Sequence, residues 1–149
     1  MKKILLPLVL MTCLAGCSSV SNPQAEMAAL NAAQSWVALV DSGRYAESWN
    51  NSTQYAKDKL PKEKWTQICE SARKPLGRNT SRKLKSKKYL TFLPGYHELT
   101  PRPGAPKGEY VMIEFKSSFE NRDSVIEVIT PMLEKDGQWR VSDYMMKEK

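Results

Sequence analysis

Cys17 is the residue whose surroundings specify a reaction most directly. It closes Leu14-Ala15-Gly16-Cys17, after Lys2, Lys3 and an apolar run from Ile4 to Leu14. That order reads as a secretory signal ending in a lipobox. In this chemistry a diacylglyceryl group is attached to Cys17 Sγ, residues 1–16 are cut away, and the new α-amino group is acylated. Ala15 and Gly16 are small enough for the backbone to enter the processing sites. The apolar run is about a dozen residues, too short for a permanent membrane-spanning helix. Acyl chains contribute about 0.8 kcal/mol per buried methylene, and two or more of them anchor stably. The competing readings are an ordinary signal peptide with a cysteine nearby, and an uncleaved anchor.

Glu127 is the second chemically informative residue. On an alternating strand it faces the same way as Val125, Ile129 and Leu133, which puts a carboxylate on an apolar surface. An unpaired buried carboxylate is costly, so a cationic partner is expected, Arg82 or Arg140. As a functional group Glu127, with those arginines, would be a polar anchor inside a pocket. The plain alternative is a structural ion pair at a strand edge.

The remaining reactive types are sparse. Cys13 leaves with the signal and Cys17 carries lipid, so Cys69 is the sole thiol of the mature chain. No disulfide can form within one molecule, and the fold must stand on its core. Cys69 shares an apolar helical stripe with Trp65, Ala72 and Leu76, which predicts a buried, inert thiol. His97 is the only histidine, in a Pro-rich loop where spacing supplies no partner for general base work. With Cys69 it is too little for a zinc site, so neither metal nor cofactor is expected. Phosphate-loop, dinucleotide and nucleophile-elbow patterns are absent from the sequence. Trp36, Trp49, Trp65 and Trp139 fall on apolar stripes or at a strand start, the usual setting of core aromatics.

Charge is spread unevenly. The chain has a formal net charge of +7, of which Lys2 and Lys3 belong to the signal. No acid occurs from Ser71 to His97, where Arg73, Lys74, Arg78, Arg82, Lys83, Lys85, Lys87 and Lys88 are concentrated. Such a stretch suits a solvated helix end and an edge strand kept from aggregating by lysine. It also suits attraction to anionic headgroups or another envelope polyanion. Export argues against nucleic acid. The expected surface contacts are Arg73, Lys74, Arg78, Lys83, Lys85, Lys87 and Lys88.

These residues require a scaffold, and the sequence periods outline one. After a tether over residues 17–23, Gln24 to Val40 has Ala29, Ala33, Trp36, Val37 and Val40 at helical spacing, stopped by Asp41-Ser42-Gly43. A second helix is expected from Arg44 to about Asp58, and a third from Pro61 to about Lys74. Strand signals follow at Arg82–Leu93 (broken around Ser86), Glu109–Phe119, Ser124–Leu133 and Trp139–Met146. A loop from Pro94 to Gly108 separates the first two, and Asp136-Gly137 marks a hairpin turn. Residues 24–149 thus read as one α+β domain, three N-terminal helices packed on an antiparallel sheet of about four strands. A chain of this size can bury a core without staples.

Two resemblances add to that outline. Trp36, Asp41-Ser42-Gly43-Arg44-Tyr45 and Ser48-Trp49, followed by the strands, resemble the opening of the cystatin-like, nuclear-transport-factor-two-like cone. There a curved sheet wraps helices and leaves a pocket at its mouth. A closer resemblance is to the bacterial domain-of-unknown-function 4019 family. It is carried by Asp41 to Tyr45, Ser48-Trp49, Arg73-Lys74-Pro75-Leu76-Gly77, Arg82, Pro103 to Tyr110, Phe115, Phe119, Glu127 and Asp136 to Tyr144. Lys107 stands where that family tends to have an acid, Asp143 where it tends to have glycine, and the loop from Pro94 to Arg102 is longer than usual. This resemblance implies a fold and no activity. Ser18 after the lipidated cysteine resembles lipoproteins sorted to the outer membrane of a Gram-negative host.

The expectation is therefore a lipid-anchored cell-envelope protein facing the periplasm. It would act as a non-catalytic binding module toward an envelope protein or polyanion. The alternative is a small-ligand-binding protein or enzyme using the mouth of the cone.

Overall fold

The computed structural model describes residues 21–95 and 100–147. Its order is α1 (Pro23–Asp41), α2 (Tyr45–Asn50), α3 (Gln54–Lys59), α4 (Lys62–Arg73), β1 (Asn79–Leu90), β2 (Tyr110–Phe119), β3 (Arg122–Leu133) and β4 (Trp139–Lys147). The strands form one open antiparallel sheet in the order β1-β2-β3-β4. Mixed helix and sheet is what the two sequence periods predict.

The helices depart from the expected three. The segment expected as one helix from Arg44 to Asp58 is divided at Asn51-Ser52-Thr53, making four among the described residues. Ser52 forms a parallel bridge with Val141, and Thr53 N–H donates to the Val141 carbonyl at 2.9 Å. The exposed edge of β4 thus claims backbone that a continuous helix would have used. Thr53 then restarts the helix, its Oγ1 accepting from Ala56 N–H at 3.1 Å, as an N-cap should. At the head of α1, Asn22 Oδ1 accepts from Ala25 N–H and Pro23 occupies the first turn.

Helix α1 lies across one face of the sheet. Its stripe of Ala29, Ala33, Trp36, Val37 and Val40 packs on Val111, Ile113 and Phe115 of β2, Ile129 of β3 and Val141 of β4. Register places Phe115 opposite Glu127 and Ile113 opposite Ile129, so the carboxylate points into this same inner face. The pairing is irregular between Leu84 and Ser86, where the sequence pattern breaks, and again between Ser117 and Phe119 and between Thr130 and Pro131. Such irregularities bend strands and raise their twist. β1 runs from Asn79 to Leu90 instead of Arg82 to Leu93. Leu93 is buried in the connection that folds back over the outer face, where Arg102 N–H donates to the Leu93 carbonyl at 2.8 Å. Gly137 takes φ 78° in the β3–β4 turn, the left-handed conformation that its lack of Cβ permits.

Candidate functional site

Glu127 is fully enclosed, and both its oxygens are engaged. Oε1 accepts from Tyr144 Oη at 2.7 Å and from Arg73 Nη1 at 3.2 Å. Oε2 accepts from Arg82 Nε at 2.8 Å and from Ser117 Oγ. The same two arginines converge on Asp41 at the last turn of α1. Arg82 clamps it through Nη1 to Oδ2 at 2.6 Å and Nη2 to Oδ1 at 3.0 Å, and Arg73 Nη2 also donates to Oδ1. Two guanidinium groups balance two carboxylates. Arg73 further stacks over Phe119, its Cζ 4.7 Å from the ring centre.

Electrostatics follow from this closure. Burial pushes the Glu127 carboxyl up, but the Arg82 hydrogen bond and charge, with Ser117 and Tyr144, outweigh it and hold the group below its ordinary value. Burial, then the Glu127 charge, raises the Tyr144 phenol well above 10.0. Burial works against the charge on Arg73, and Tyr144, Asp41 and Glu127 more than compensate. The cluster is paired, with a charged Glu127 between the charged Arg73 and Arg82. It ties α1, α4, β1 and β3 together beneath Tyr144 of β4.

Tyr144 also faces a cavity. Its ring meets Trp36 with centroids 5.4 Å apart and Trp65 at 6.4 Å, and those two indoles lie 5.7 Å from each other. Beside them, between α2–α4 and the β4 edge, is a hollow of about 290 Å³ walled by Trp36, Trp49, Tyr55, Trp65, Ile68 and Tyr144. The indole N–H groups point into the protein. Trp36 Nε1 donates to the Ser48 carbonyl at 2.8 Å, Trp49 Nε1 to the Leu60 carbonyl at 2.7 Å and Trp65 Nε1 to Ser48 Oγ at 2.9 Å. What the hollow offers is ring surface, with Lys59 and an Arg102–Asp143 ion pair of 2.7 Å at its rim. That pair joins two features by which the sequence departs from its resemblance, the long loop and Asp143.

The arginine and lysine expectations are partly overturned. Arg82 does meet Glu127, but Arg140 does not. It sits at the far hairpin, bonded to Glu134 at 2.8 Å and to Asp136, because β4 pairs in the register that sets Arg140 opposite Met132. Arg73, expected on the surface, is 6% exposed and belongs to the buried cluster. Arg78 pairs with Glu120 at 2.6 Å, Lys85 with Glu114 at 2.8 Å and Lys87 with Glu26 at 3.2 Å. Strand alternation sends neighbouring cations to opposite faces, so the linear run is not one surface. Lys74, Arg78, Lys83, Lys85 and Lys88 are exposed, Arg78 and Lys85 as members of surface ion pairs. Cys69 is buried at 3% exposure, while Cys17 and His97 lie outside the described residues.

Sequence reasoning missed Asp41 and Tyr144 as members of the cluster. For Asp41 a signal was present. An acid in the last turn of a helix opposes the helix dipole and so calls for a cation. Among the described residues no group of three or more His, Cys, Asp or Glu side chains could hold a metal ion.

A family described as a protein of unknown function (DUF4019) matches residues 32–144. The chain belongs to this family. No curated protein and no solved structure matches it. The DUF4019 span contains every member of the ionic cluster and every residue walling the aromatic hollow. Cys17 falls before it.

Proposed function

We propose that this DUF4019 chain is a lipid-anchored envelope protein, defined by what it binds rather than by a reaction, with the aromatic hollow beside β4 as its ligand site. The carrying observation is the state of Glu127. Four donors and complete burial commit this carboxylate to holding the helices on the sheet, and leave ring surface as what the hollow presents to a ligand. A small apolar or aromatic group fits about 290 Å³ of such lining. Lys59 at the rim suits a negative charge on that ligand. The anchor reading rests on the order of Lys2-Lys3, apolar run, small residues and Cys17, and implies a domain on the periplasmic side of the outer membrane in a Gram-negative host. The cone reading of the fold is supported by α1 lying along the inner face of a sheet bent at several irregular pairings.

The test is a fluorescence titration of the lipidated protein with N-phenyl-1-naphthylamine, an apolar aromatic probe. Ala56→Trp, which fills the hollow from α3, should abolish binding while the melting temperature holds. Undiminished probe binding by that variant would remove the hollow as the site. An enzymatic reading draws on Asp143, which lines the same hollow, but Arg102 already holds that carboxylate. Turnover of an envelope metabolite abolished by Asp143→Asn, with binding intact, would favour it.

A further inference from the structure

Strand pairing assembles a feature that the linear charge run does not contain. Lys83 of β1 stands opposite Lys116 of β2, Lys116 opposite Ile126 of β3, and Ile126 opposite Lys147 of β4. The three lysines therefore form one row across the sheet, on the face away from α1, and all three are exposed. Strands are spaced by about 4.8 Å, so the row extends roughly 14 Å. Lys83 and Lys116 are directly opposed like charges, an arrangement that weakens a sheet unless an anion neutralises it. Further along β1 Lys85 and Lys88 are also exposed, and Glu114, two residues before Lys116 on β2, accepts from Lys85 at 2.8 Å.

Where the chain enters the fold is a second, independent observation. Ser21 lies in a surface hollow with Glu26, Lys88 and Phe92, at the β1 edge of the sheet. The residues between Cys17 and Ser21 reach only about 14 Å even when extended. Lys83 is on the same strand as Lys88, about 17 Å along it.

We propose that the part of the outer face left uncovered by the connection after β1 lies on the anionic phospholipid headgroups of the leaflet that holds the N-terminal lipid, with Lys83, Lys116 and Lys147 as its contacts. This rests on the anchored reading above. It keeps Lys83 from the linear run, leaves out Arg73, which is buried against Asp41 and Glu127, and adds two lysines far away in sequence. Each cation near an anionic surface contributes about a fivefold factor in partitioning, so three supply roughly a hundredfold. The contact is electrostatic and weakens with salt.

The full chain, purified with its native N-terminus, is mixed with vesicles of phosphatidylcholine alone or with added phosphatidylglycerol. Flotation on the neutral vesicles reports the anchor. Acylation of lysine amines, followed by mass spectrometry, reports the face. Lys83, Lys116 and Lys147 should react several-fold more slowly on the anionic vesicles, Lys64 on α4 should not change, and high salt should erase the difference. Equal reactivity on both vesicles overturns the proposal even where flotation succeeds. If the chain does not float on neutral vesicles, the anchor reading fails; the face then stands only if anionic vesicles still bind at low salt and Lys83→Gln/Lys116→Gln/Lys147→Gln lowers that binding by roughly a hundredfold. Protection by inorganic polyphosphate but not by vesicles would also overturn it, in favour of a soluble polyanion.

Discussion

Arg73 Nη1 lies 3.2 Å from Glu127 Oε1, joining residues 54 apart in sequence and fastening α4 to β3. Glu127 is completely buried and Arg73 nearly so, which makes this contact unlike the surface ion pairs elsewhere in the chain. An exposed pair such as Arg44–Glu47 contributes little, because water and salt screen it. A buried pair is costly to form and far more costly to break on one side only.

Glu127→Gln keeps the side chain's size and removes its charge, leaving Arg73 and Arg82 with only Asp41 to balance them. The expected loss is about 3–5 kcal/mol of unfolding free energy, read from urea denaturation of the full chain. A change within the error of that measurement would show that the cluster is not closed as described.

The same group sets an acid limit. Its folded carboxyl is held below the ordinary value of 4.5, so its contribution is present above that value and is lost as pH falls through the lower folded one. The stability gap between the parent chain and Glu127→Gln should therefore be full at pH 7 and shrink in the acid range. Melting curves of both proteins across the range from neutral to acid check the sign; a gap that widens on acidification contradicts it.

Tyr144→Phe removes the donor to Glu127 and the acceptor of Arg73 while keeping the ring against Trp36 and Trp65. A loss of about 1.5–3 kcal/mol is expected, the range for a hydrogen bond to a charged group. Ultraviolet titration supplies a second reading. Because burial and Glu127 raise its phenol well above 10.0, Tyr144 should add no phenolate absorbance until the protein unfolds.

Burial pushes the Cys69 thiol up to about 12, with Arg73 opposing weakly. A thiolate-seeking disulfide reagent at mildly alkaline pH should react slowly with the native protein and promptly in denaturant. Prompt native reaction would mean that α4 opens readily from the sheet.

Several elements are legible in the order of residues alone. Ala29, Ala33, Trp36, Val37 and Val40 recur with the helical period, and they are the buried stripe of α1. The break at Ser86 corresponds to the irregular pairing of β1, and Asp136-Gly137 does turn the chain between β3 and β4. The division of the second helix is not legible in that way, because its cause is Val141, a residue of the last strand.

Residue order settles whatever depends on a side chain and its near neighbours. That covers the helical and strand periods, the turn, and the need of a carboxylate at 127 for a cation once its strand faces the core. Which cation answers is settled by the folded chain. Glu127 takes Arg82 and Arg73 and leaves Arg140 to the hairpin; Lys83, Lys116 and Lys147 come into line; and three tryptophans close around one hollow. The reason is register. Partners across a sheet are chosen by the pairing of whole strands, and a shift of one residue would exchange the two faces.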